Sequence, residues 1–401
     1  MNPLSLRHRG EQPVTYTSKA EGVWSLLDGR TRHDFSGGAL SQSLLSLPIP
    51  PASAFSNMAP SSGYQTPLQV RAEEAVARLA NCSALAWTGS GSDGIELALW
   101  IVANLYEDGI RRVFVRQGGY HGATSLTAAL STRSRLRPLF GASSAPLVEL
   151  LPTRGVGPGG ESFAVFQEFM ERSQAGRGDV VVLETAPTTG PTFWPGADLY
   201  DALFAWCRRS GIAVIADEVA AGAFRNGWFS IRDFGAQPDV SVVSKGLTNG
   251  ISPLACVLIG SEAAAALQAT RARVPGFTTT LNDLSAWALV SSLETYERLR
   301  AEGAFRAREA LIAWMSSELE SHSLIVSVES TMTTLRIALD ESDGEKLCTV
   351  LDRNSIYVYN SSASISGRRV KFFLFCPALD LEPGAQRAFA ERFLYCLQRA
   401  L

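Results

Sequence analysis

The sequence predicts an α/β protein with a large domain, in which helices cover both faces of a mainly parallel sheet, and a smaller α+β domain. Three observations support this fold class. Short apolar runs rich in β-branched residues recur at helix-length intervals up to residue 259, as expected for strands buried on both faces. The apolar fraction of 46% in 401 residues is enough for a large core. Beyond residue 282, a helical stretch and further strand-like runs indicate the second unit.

The composition argues against several classes of partner and site. With 36 basic and 39 acidic residues the formal charge is −3, so no global positive field attracts nucleic acid or an anionic membrane. The 6 cysteines are scattered, which makes a metal site or a disulfide framework a weak hypothesis. The chain starts without an apolar signal core, and its apolar runs fall short of the ~18 residues that span a bilayer. We expect a cytoplasmic protein with no metal, nucleic-acid partner or membrane partner.

The N-terminal part, up to about residue 60, is rich in Ser, Pro and Gly and predicts irregular structure. A short strand pair is expected around residues 24–35, with a turn at Asp28 and Gly29. The apolar spacing over 68–79 predicts an amphipathic helix, and 84–87 predicts a strand that runs into TGSGSDG. The next helix, from 95 to about 106, is apolar nearly all round, so we expect it between layers.

The other strands of the large sheet are predicted from apolar runs at 113–115, 180–183, 212–216, 240–243 and 255–259. The last of these follows its predecessor by too few residues for a helical crossover, so it should run antiparallel or lie at an edge.

In the second unit, residues 282–319 and 382–400 predict helices, and strands are predicted at 324–328, 334–338, 356–359 and 370–375. We therefore expect an N-terminal segment (1–60) that joins the small domain, a large domain (61–283) and the C-terminal part of the small domain (284–401).

Ligands of parallel α/β sheets bind beyond the carboxyl ends of the strands, and four such ends carry informative residues. The first is TGSGSDG, where Gly89, Gly91 and Gly94 form a G-x-G-x-x-G turn that aims backbone amides at a phosphate. Two alternatives stay open. A dinucleotide site would have to be an NADP site, because the second strand ends in Arg116 and Gln117 rather than in an acid that binds a ribose. Alternatively, the turn could be purely structural, with Ser92 as the helix cap.

The second and third ends place an acid and a lysine after buried strands. Asp217 in IAVIADEV could be a metal ligand, an ion-pair partner or the acid that holds a proton on a heterocyclic nitrogen. A P-loop is excluded because none of the four lysines follows a glycine. Lys245 directly follows an apolar strand, where burial disfavours its ammonium form and leaves a nucleophilic amine; a lysine that merely reaches out from the sheet rim is the alternative.

The fourth end, QGGYHGATS, holds Tyr120 and His121 between glycines. Such a loop can lay an aromatic ring over a flat cofactor, while His121 could equally be a general base or a packing residue. A phosphate-binding turn, a stacking ring, an acid for a ring nitrogen and a lysine for an aldehyde are together the parts that pyridoxal phosphate needs.

Five motifs in order resemble the class III aminotransferase family of fold type I pyridoxal-phosphate enzymes, which includes glutamate-1-semialdehyde aminomutase. They are DGRTRHDFSGG (28–38), SGSDGIE (90–96), YHGAT (120–124), ADEVAAGAFRNG (216–227) and SKGLTNGISPLA (244–255). The resemblance implies a seven-stranded, mainly parallel sheet in the large domain, pyridoxal 5'-phosphate as the cofactor and a homodimer with shared active sites.

The resemblance also implies roles for single residues. Lys245 would carry the Schiff base and Asp217 would pair with the pyridinium nitrogen. Gly91 and Ser92 would bind the phosphate, and Tyr120 and Val219 would contact the two faces of the ring. His121 and Glu184 of ETAPTTGP would also bind the cofactor, and Thr278 of the partner subunit would complete the site. Thr279 is the alternative to Thr278.

Two departures from the family's pattern concern the substrate. Ala220 stands where the family often has glutamine or methionine, and the arginine that often binds a substrate carboxylate is replaced, with Arg368, Arg369 or Lys371 as candidates. We expect an aminotransferase of specialised metabolism that acts on an unusual amine or amino acid and a keto or aldehyde partner. An aminomutase, decarboxylase, racemase or carbon–carbon bond-forming enzyme, an NADP-dependent oxidoreductase and a non-catalytic member of the fold are the alternatives.

Overall fold

The computed structural model describes residues 16–20, 22–26, 28–37, 41–42, 44–45, 47–56, 65–131, 147–151, 163–185, 197–221, 235, 237–271, 281–330, 334–365 and 368–400. Its strands are β1 (Tyr16–Ala20), β2 (Val23–Leu26), β3 (Thr31–Asp34), β4 (Ala84–Thr88), β5 (Arg112–Arg116), β6 (Leu147–Leu151), β7 (Asp179–Glu184), β8 (Ala213–Glu218), β9 (Val240–Val243), β10 (Ala255–Ile259), β11 (Ile325–Ser330), β12 (Leu335–Asp340), β13 (Ile356–Tyr357), β14 (Tyr359–Ile365) and β15 (Arg368–Phe375).

The helices among these residues are α1 (Ser53–Ser56), α2 (Pro67–Ala80), α3 (Gly91–Ala103), α4 (Ser125–Leu130), α5 (Phe163–Arg172), α6 (Ala197–Arg209), α7 (Ser261–Thr270), α8 (Asp283–Ala301), α9 (Ala304–Glu320), α10 (Glu341–Arg353) and α11 (Pro383–Arg399). A short 3-10 helix, Lys245–Thr248, follows β9. Within the described part of the chain, no helix is both long enough and apolar enough to cross a membrane.

In the described residues the central sheet has 7 strands, in the order β4-β10-β9-β8-β7-β5-β6. The five strands from β9 to β6 run parallel to one another. Strand β10 runs antiparallel to both β4 and β9. The predicted antiparallel direction of 255–259 is therefore confirmed, and the strand lies inside the sheet rather than at its edge.

Both faces of the sheet are buried, as the apolar runs predicted. In β7, Val180 and Val182 pack into a cluster with α3, while the intervening Val181 and Leu183 pack with α5 and α6. Successive side chains of a strand point to opposite faces, so an all-apolar run is what a two-sided sheet requires. The fold class is confirmed. Strand β6 was not among the predicted runs, since its segment LVELL carries a charged residue.

Two helix boundaries differ from the sequence-based predictions for local reasons. Helix α3 is capped by Ser90, whose side chain accepts the Asp93 amide hydrogen, and not by Ser92. The long predicted helix 282–319 is two helices, α8 and α9, because the chain turns at Gly303 with φ +83°. Glycine adopts this left-handed conformation without the steric cost of a side chain.

Two further sheets of 4 strands each flank the central unit, in the orders β1-β2-β3-β13 and β11-β12-β15-β14. The strand pair predicted near residues 24–35 is present as β2 and β3. Strand β13 pairs in parallel with β3, so the N-terminal segment contacts the C-terminal part. Helix α10 was not predicted; it packs against the core through the buried Leu347 and Leu351, with Cys348 and Val350 partly buried beside them. The domain boundaries at 60 and 283 stay a prediction.

Candidate active site

One cavity of about 460 Å³ lies beyond the carboxyl ends of β4, β5, β7, β8 and β9. This is the edge where parallel α/β sheets bind their ligands. All the predicted site residues but one line it: Gly91, Ser92, Tyr120, His121, Glu184, Asp217, Val219 and Lys245. Thr278 and its alternative Thr279 lie outside the described residues.

The glycine-rich turn forms one wall of the cavity at the N-terminus of α3. A Cβ atom on Gly91 would lie 2.7 Å from a methyl group of Val219, so this position requires glycine. Gly122, with φ +134°, packs equally close: its Cβ would lie 2.5 Å from Ser92 Oγ. The Ala123 amide donates to that same hydroxyl at 3.2 Å. The turn and the YHGAT loop therefore meet where the Ser92 hydroxyl contacts the backbone of Gly122 and Ala123.

Asp217 is fixed by two hydrogen bonds at the end of β8. Its Oδ1 accepts from the Val219 amide at 3.0 Å, and its Oδ2 lies 2.8 Å from His121 Nδ1. An ionised carboxylate only accepts hydrogen bonds, so Nδ1 is the donor. Both side chains are buried. These contacts hold the carboxylate in one orientation toward the cavity.

His121 is a hydrogen-bonded partner of this carboxylate rather than an isolated packing residue. Its burial by itself lowers the pKa of the imidazole, but the hydrogen bond to Asp217 and the charges of Asp217 and Glu184 outweigh that effect, so the pKa is raised above its ordinary value. The sequence left His121 open between a base and a packing role. Only the fold brings it to Asp217, 96 positions along the chain.

Lys245 occupies an unusual backbone conformation, with φ +47° at the start of the short 3-10 helix. A residue with a side chain rarely adopts positive φ, and such strain clusters at functional sites. The side chain is half-buried rather than fully buried. Two of the other lysines are engaged elsewhere: Lys346 with Asp343 at 2.7 Å and Lys371 with Glu345 at 2.6 Å. The side chain of Lys19 lies outside the described part.

Tyr120 and Glu184 meet at the ends of β5 and β7. The Tyr120 amide donates to Glu184 Oε2 at 3.1 Å, and Glu184 is buried. The carboxylate thereby sets the position of the YHGAT loop, while the Tyr120 side chain lines the cavity.

Sequence reasoning missed the residues that attach the N-terminal segment to the lysine turn. Asn249, at φ +50°, accepts a hydrogen bond from the Leu44 amide at 3.0 Å and donates to the Leu44 carbonyl at 3.1 Å. Ser41 then lines the cavity. The Asn-Gly pair in SKGLTNG is a turn signal, but nothing in the sequence indicates the distant partner.

The three candidates for a substrate carboxylate do not line the cavity. Arg368 Nε lies 2.5 Å from Asp340, Arg369 Nε 2.6 Å from Glu341, and Lys371 Nζ 2.6 Å from Glu345. They lie on β15 beside the start of α10, and each is neutralised by an acid there. Lys245 is the one Lys or Arg among the described residues that line the cavity.

The residues present fit pyridoxal 5'-phosphate. The close-packed glycines of the turn and the N-terminus of the 13-residue helix α3 suit a phosphate, because helix amides attract anions. Asp217 supplies a carboxylate for a ring nitrogen, Lys245 an amine for an aldehyde, and Tyr120 and Val219 apolar surfaces for a flat ring.

The chain matches the sequence model of one protein family, described as Aminotransferase class-III, over residues 9–368. Among curated relatives, it is 26% identical over 249 residues to a taurine–pyruvate aminotransferase of Rhodobacter capsulatus, covering 59% of this chain and 52% of the relative. It is 28% identical to a putrescine–pyruvate aminotransferase of Pseudomonas aeruginosa, covering 54% and 50%. The chain thus spans about half the length of these relatives.

Solved structures share the fold across the whole chain. An amine transaminase of an uncultivated Pseudomonas species, in its PLP-bound form, superposes with a TM-score of 0.80 at 18% identity, covering 100% of this chain and 98% of the other. A taurine:2-oxoglutarate aminotransferase of Bifidobacterium kashiwanohense, in complex with PLP and glutamate, gives 0.81 at 17% identity, covering 99% and 95%. The predicted fold type and family resemblance are confirmed.

Proposed function

This chain belongs to the class III aminotransferase family, and we propose that it is a pyridoxal 5'-phosphate-dependent aminotransferase acting on an amine or amino acid and a keto or aldehyde partner. The observation that carries the proposal is the strained Lys245 in one cavity with Asp217 and the glycine-rich turn. Family membership favours this function over the NADP-dependent oxidoreductase. Arg116, which that alternative needs, is 3% exposed.

The bound cofactor supplies an electron sink that weakens the bonds at the amino-bearing carbon of a substrate. Gly91 and Ser92 bind the phosphate at the helix N-terminus. The Asp217 carboxylate holds a proton on the ring nitrogen, since a nearby negative charge favours the charged form. Tyr120 and Val219 would restrict the ring of the cofactor. Lys245 is the amine that would hold the aldehyde group of the cofactor, and once a substrate amine had taken its place it would move the proton of the amino-bearing carbon.

His121 and Glu184 position these groups without touching the reacting atoms. His121 Nδ1 orients the Asp217 carboxylate, and Glu184 orients the loop of Tyr120. Both acids and the imidazole are buried, so their hydrogen bonds are little weakened by water.

A homodimer with shared sites belongs to the same proposal. Ile49 is 93% exposed and Ile251, shortly after the lysine turn, is 40% exposed, and a second copy of the chain that covered them would bury apolar surface. Closed two-fold dimers are the commonest oligomers. Thr278 of the neighbouring subunit, or Thr279, would complete the phosphate site. The cytoplasmic location stays a prediction.

Reduction of the holoenzyme tests the proposed function. The purified protein should be yellow, borohydride should make the colour permanent, and peptide mapping should find the pyridoxyl group on Lys245. Lys245→Ala should lose the permanent label and the transfer of an amino group to pyruvate, while remaining folded. A label on Lys19, Lys346 or Lys371, or no bound chromophore at all, would contradict the proposal.

A further inference from the structure

The lysine turn, residues 245–250, has two residues other than glycine in the left-handed conformation. Lys245 has φ +47° and Asn249 has φ +50°, and Gly250 follows with φ +77°. Asparagine is one of the few residues with a side chain that adopts this conformation readily. The backbone at position 249 therefore favours asparagine or glycine, and the contacts of the side chain decide between the two.

The side chain of Asn249 forms two hydrogen bonds with the backbone of one residue in the N-terminal part of the chain. Its Oδ1 accepts from the Leu44 amide at 3.0 Å, and its Nδ2 donates to the Leu44 carbonyl at 3.1 Å. Asn249 is 6% exposed and Leu44 is 1% exposed, and Leu44 belongs to the same buried apolar cluster as Leu247 of the lysine turn. Water competes little for these hydrogen bonds, so they hold Leu44 against the turn.

The segment that contains Leu44 also forms part of the cavity wall. Ser41 and Gly250 both line the cavity, together with Lys245. The packing at Gly250 is close, because a Cβ atom there would lie 3.2 Å from Gln42 Cγ. Ser41 precedes Leu44 by so few residues that the chain between them reaches at most about 11 Å. The position of the Leu44 backbone therefore limits where Ser41 can lie relative to Lys245.

The same N-terminal segment is also attached to the C-terminal part of the chain. The Cys376 amide donates to the Phe35 carbonyl at 2.6 Å, and the Leu45 amide donates to Asp380 Oδ1 at 2.6 Å. The two hydrogen bonds of Asn249 thus join the lysine turn, at the end of a strand of the central sheet, to a segment that the C-terminal part holds. Movement of this segment relative to the turn would break them.

Resting on the proposed aminotransferase function, we propose that Asn249 is a positioning residue of the reaction, whose side chain holds Ser41 and Leu44 against the lysine turn and so fixes the wall that a substrate meets beside Lys245. Asn249 itself does not line the cavity. Its loss should therefore weaken the binding of a substrate more than it slows the chemical step, because Lys245 and Asp217 keep their places.

Hydrogen exchange of the holoenzyme, followed by mass spectrometry, tests the contact itself. Asn249→Gly removes both hydrogen bonds but tolerates the positive φ, so the turn can keep its conformation. We expect the Leu44 amide to exchange at least about tenfold faster in this variant, which is the effect of losing one buried hydrogen bond. Asn81→Gly is the matched control, because Asn81 is exposed, has φ +52° at the end of α2 and precedes β4 at the edge of the sheet away from the cavity. Unchanged exchange at Leu44 in Asn249→Gly, or an equal rise in the control, would overturn the proposal.

A single half-reaction separates substrate binding from chemistry. The protein is loaded with pyridoxamine 5'-phosphate and mixed with pyruvate, and the absorbance of the cofactor reports the rate at each pyruvate concentration. For Asn249→Gly we expect the half-saturating concentration of pyruvate to rise about tenfold, while the limiting rate changes by less than about threefold. Asn249→Asp should raise it as well, because the oxygen that replaces Nδ2 has no hydrogen to donate to the Leu44 carbonyl.

The outcomes separate this role from the proposed function. An unchanged half-saturating concentration in both variants, or a loss confined to the limiting rate, would contradict the positioning role. If the wild type reacted with neither pyruvate nor 2-oxoglutarate, the aminotransferase function would be refuted, and hydrogen exchange would still decide whether Asn249 holds the segment.

Discussion

At the scale of single residues, the site depends on one carboxylate with two fixed hydrogen bonds. Asp217 accepts from Val219 and from His121, which leaves its charge in place but removes its freedom to rotate. Because the side chain is 5% exposed, water does little to screen that charge.

Replacing the charge of Asp217 should therefore slow the reaction without unfolding the protein. Asp217→Asn keeps the shape of the side chain but no longer favours a protonated ring nitrogen, and we expect the turnover number to fall roughly 100-fold or more. Steady-state kinetics with the best amine substrate measure the effect, and circular dichroism controls for folding. An unchanged turnover number would show that the carboxylate has no such role.

The raised pKa of His121 makes part of the stability dependent on pH. A group whose pKa is higher in the folded state stabilises the fold fully below its unfolded pKa of 6.5, and this contribution disappears as the pH rises through the folded value. Urea unfolding of the cofactor-free protein should show that His121→Asn loses more free energy of unfolding at pH 6 than at pH 9. A difference between wild type and variant that is constant or grows with pH would contradict the pairing.

At the scale of elements, the cap of helix α3 and its proposed phosphate-binding residue are two different serines of the glycine-rich turn. Both Ser90 and Ser92 line the cavity, but it is Ser90 that accepts the Asp93 amide hydrogen and so satisfies one free amide of the first turn. Two serines of one short motif thus have different tasks.

The different roles of Ser90 and Ser92 predict different effects for two matched variants. Ser90→Ala should lower the free energy of unfolding of the cofactor-free protein by about 1 kcal/mol. Ser92→Ala should cost less stability but weaken cofactor affinity, because its hydroxyl lies at the phosphate end of the cavity. Urea unfolding and cofactor titration measure the two quantities. The assignment of the cap would be wrong if Ser92→Ala proved the more destabilising change.

At the scale of the whole molecule, a fully buried arginine joins parts of the chain that are distant in sequence. Arg308 of α9 is 0% exposed and donates to the Pro377 carbonyl at 2.8 Å, the Ala378 carbonyl at 2.6 Å and the Gln386 side chain at 2.9 Å. The segment after β15 is held in place by these bonds.

Removing this charge should leave several buried acceptors without their donor. Each hydrogen bond to a charged group contributes about 1.5–3 kcal/mol, so Arg308→Met should lower the free energy of unfolding by at least about 3 kcal/mol. Denaturant unfolding provides the measurement, with the exposed Arg306→Met as the control. A loss no larger than that of the control would show that the buried bonds add no net stability.

The proposed dimer predicts recovery of activity from two inactive variants. Thr278→Glu should repel the phosphate in the neighbouring subunit's site, whereas Lys245→Ala disables its own site. Mixed subunits would carry both defects in one site and none in the other, so activity should return to about half the native value per heterodimer. Subunit exchange verified by mass spectrometry is the control. Failure to recover despite exchange would place the whole phosphate site within one chain.

The sequence by itself determined the fold class and most of the candidate site. Apolar runs at 212–216 and 240–243 identify buried strands, and the carboxyl ends of parallel strands meet at one edge, so Asp217 and Lys245 could be placed together without a structure. Motifs and apolar runs are local properties of the sequence, so they can be identified without a structure.

The tertiary structure alone decided the contacts that depend on distant segments. The pairing of His121 with Asp217, the position of β10 inside the sheet, and the packing of Leu374 behind Ala220 have no local signal. The ion pairs of Arg368 and Lys371 have no local signal either, because their acid partners at the start of α10 become neighbours only in the folded chain. The periodicity of apolar side chains indicates which face of a helix or strand is buried. Which residues contact that face depends on how whole helices and strands pack together.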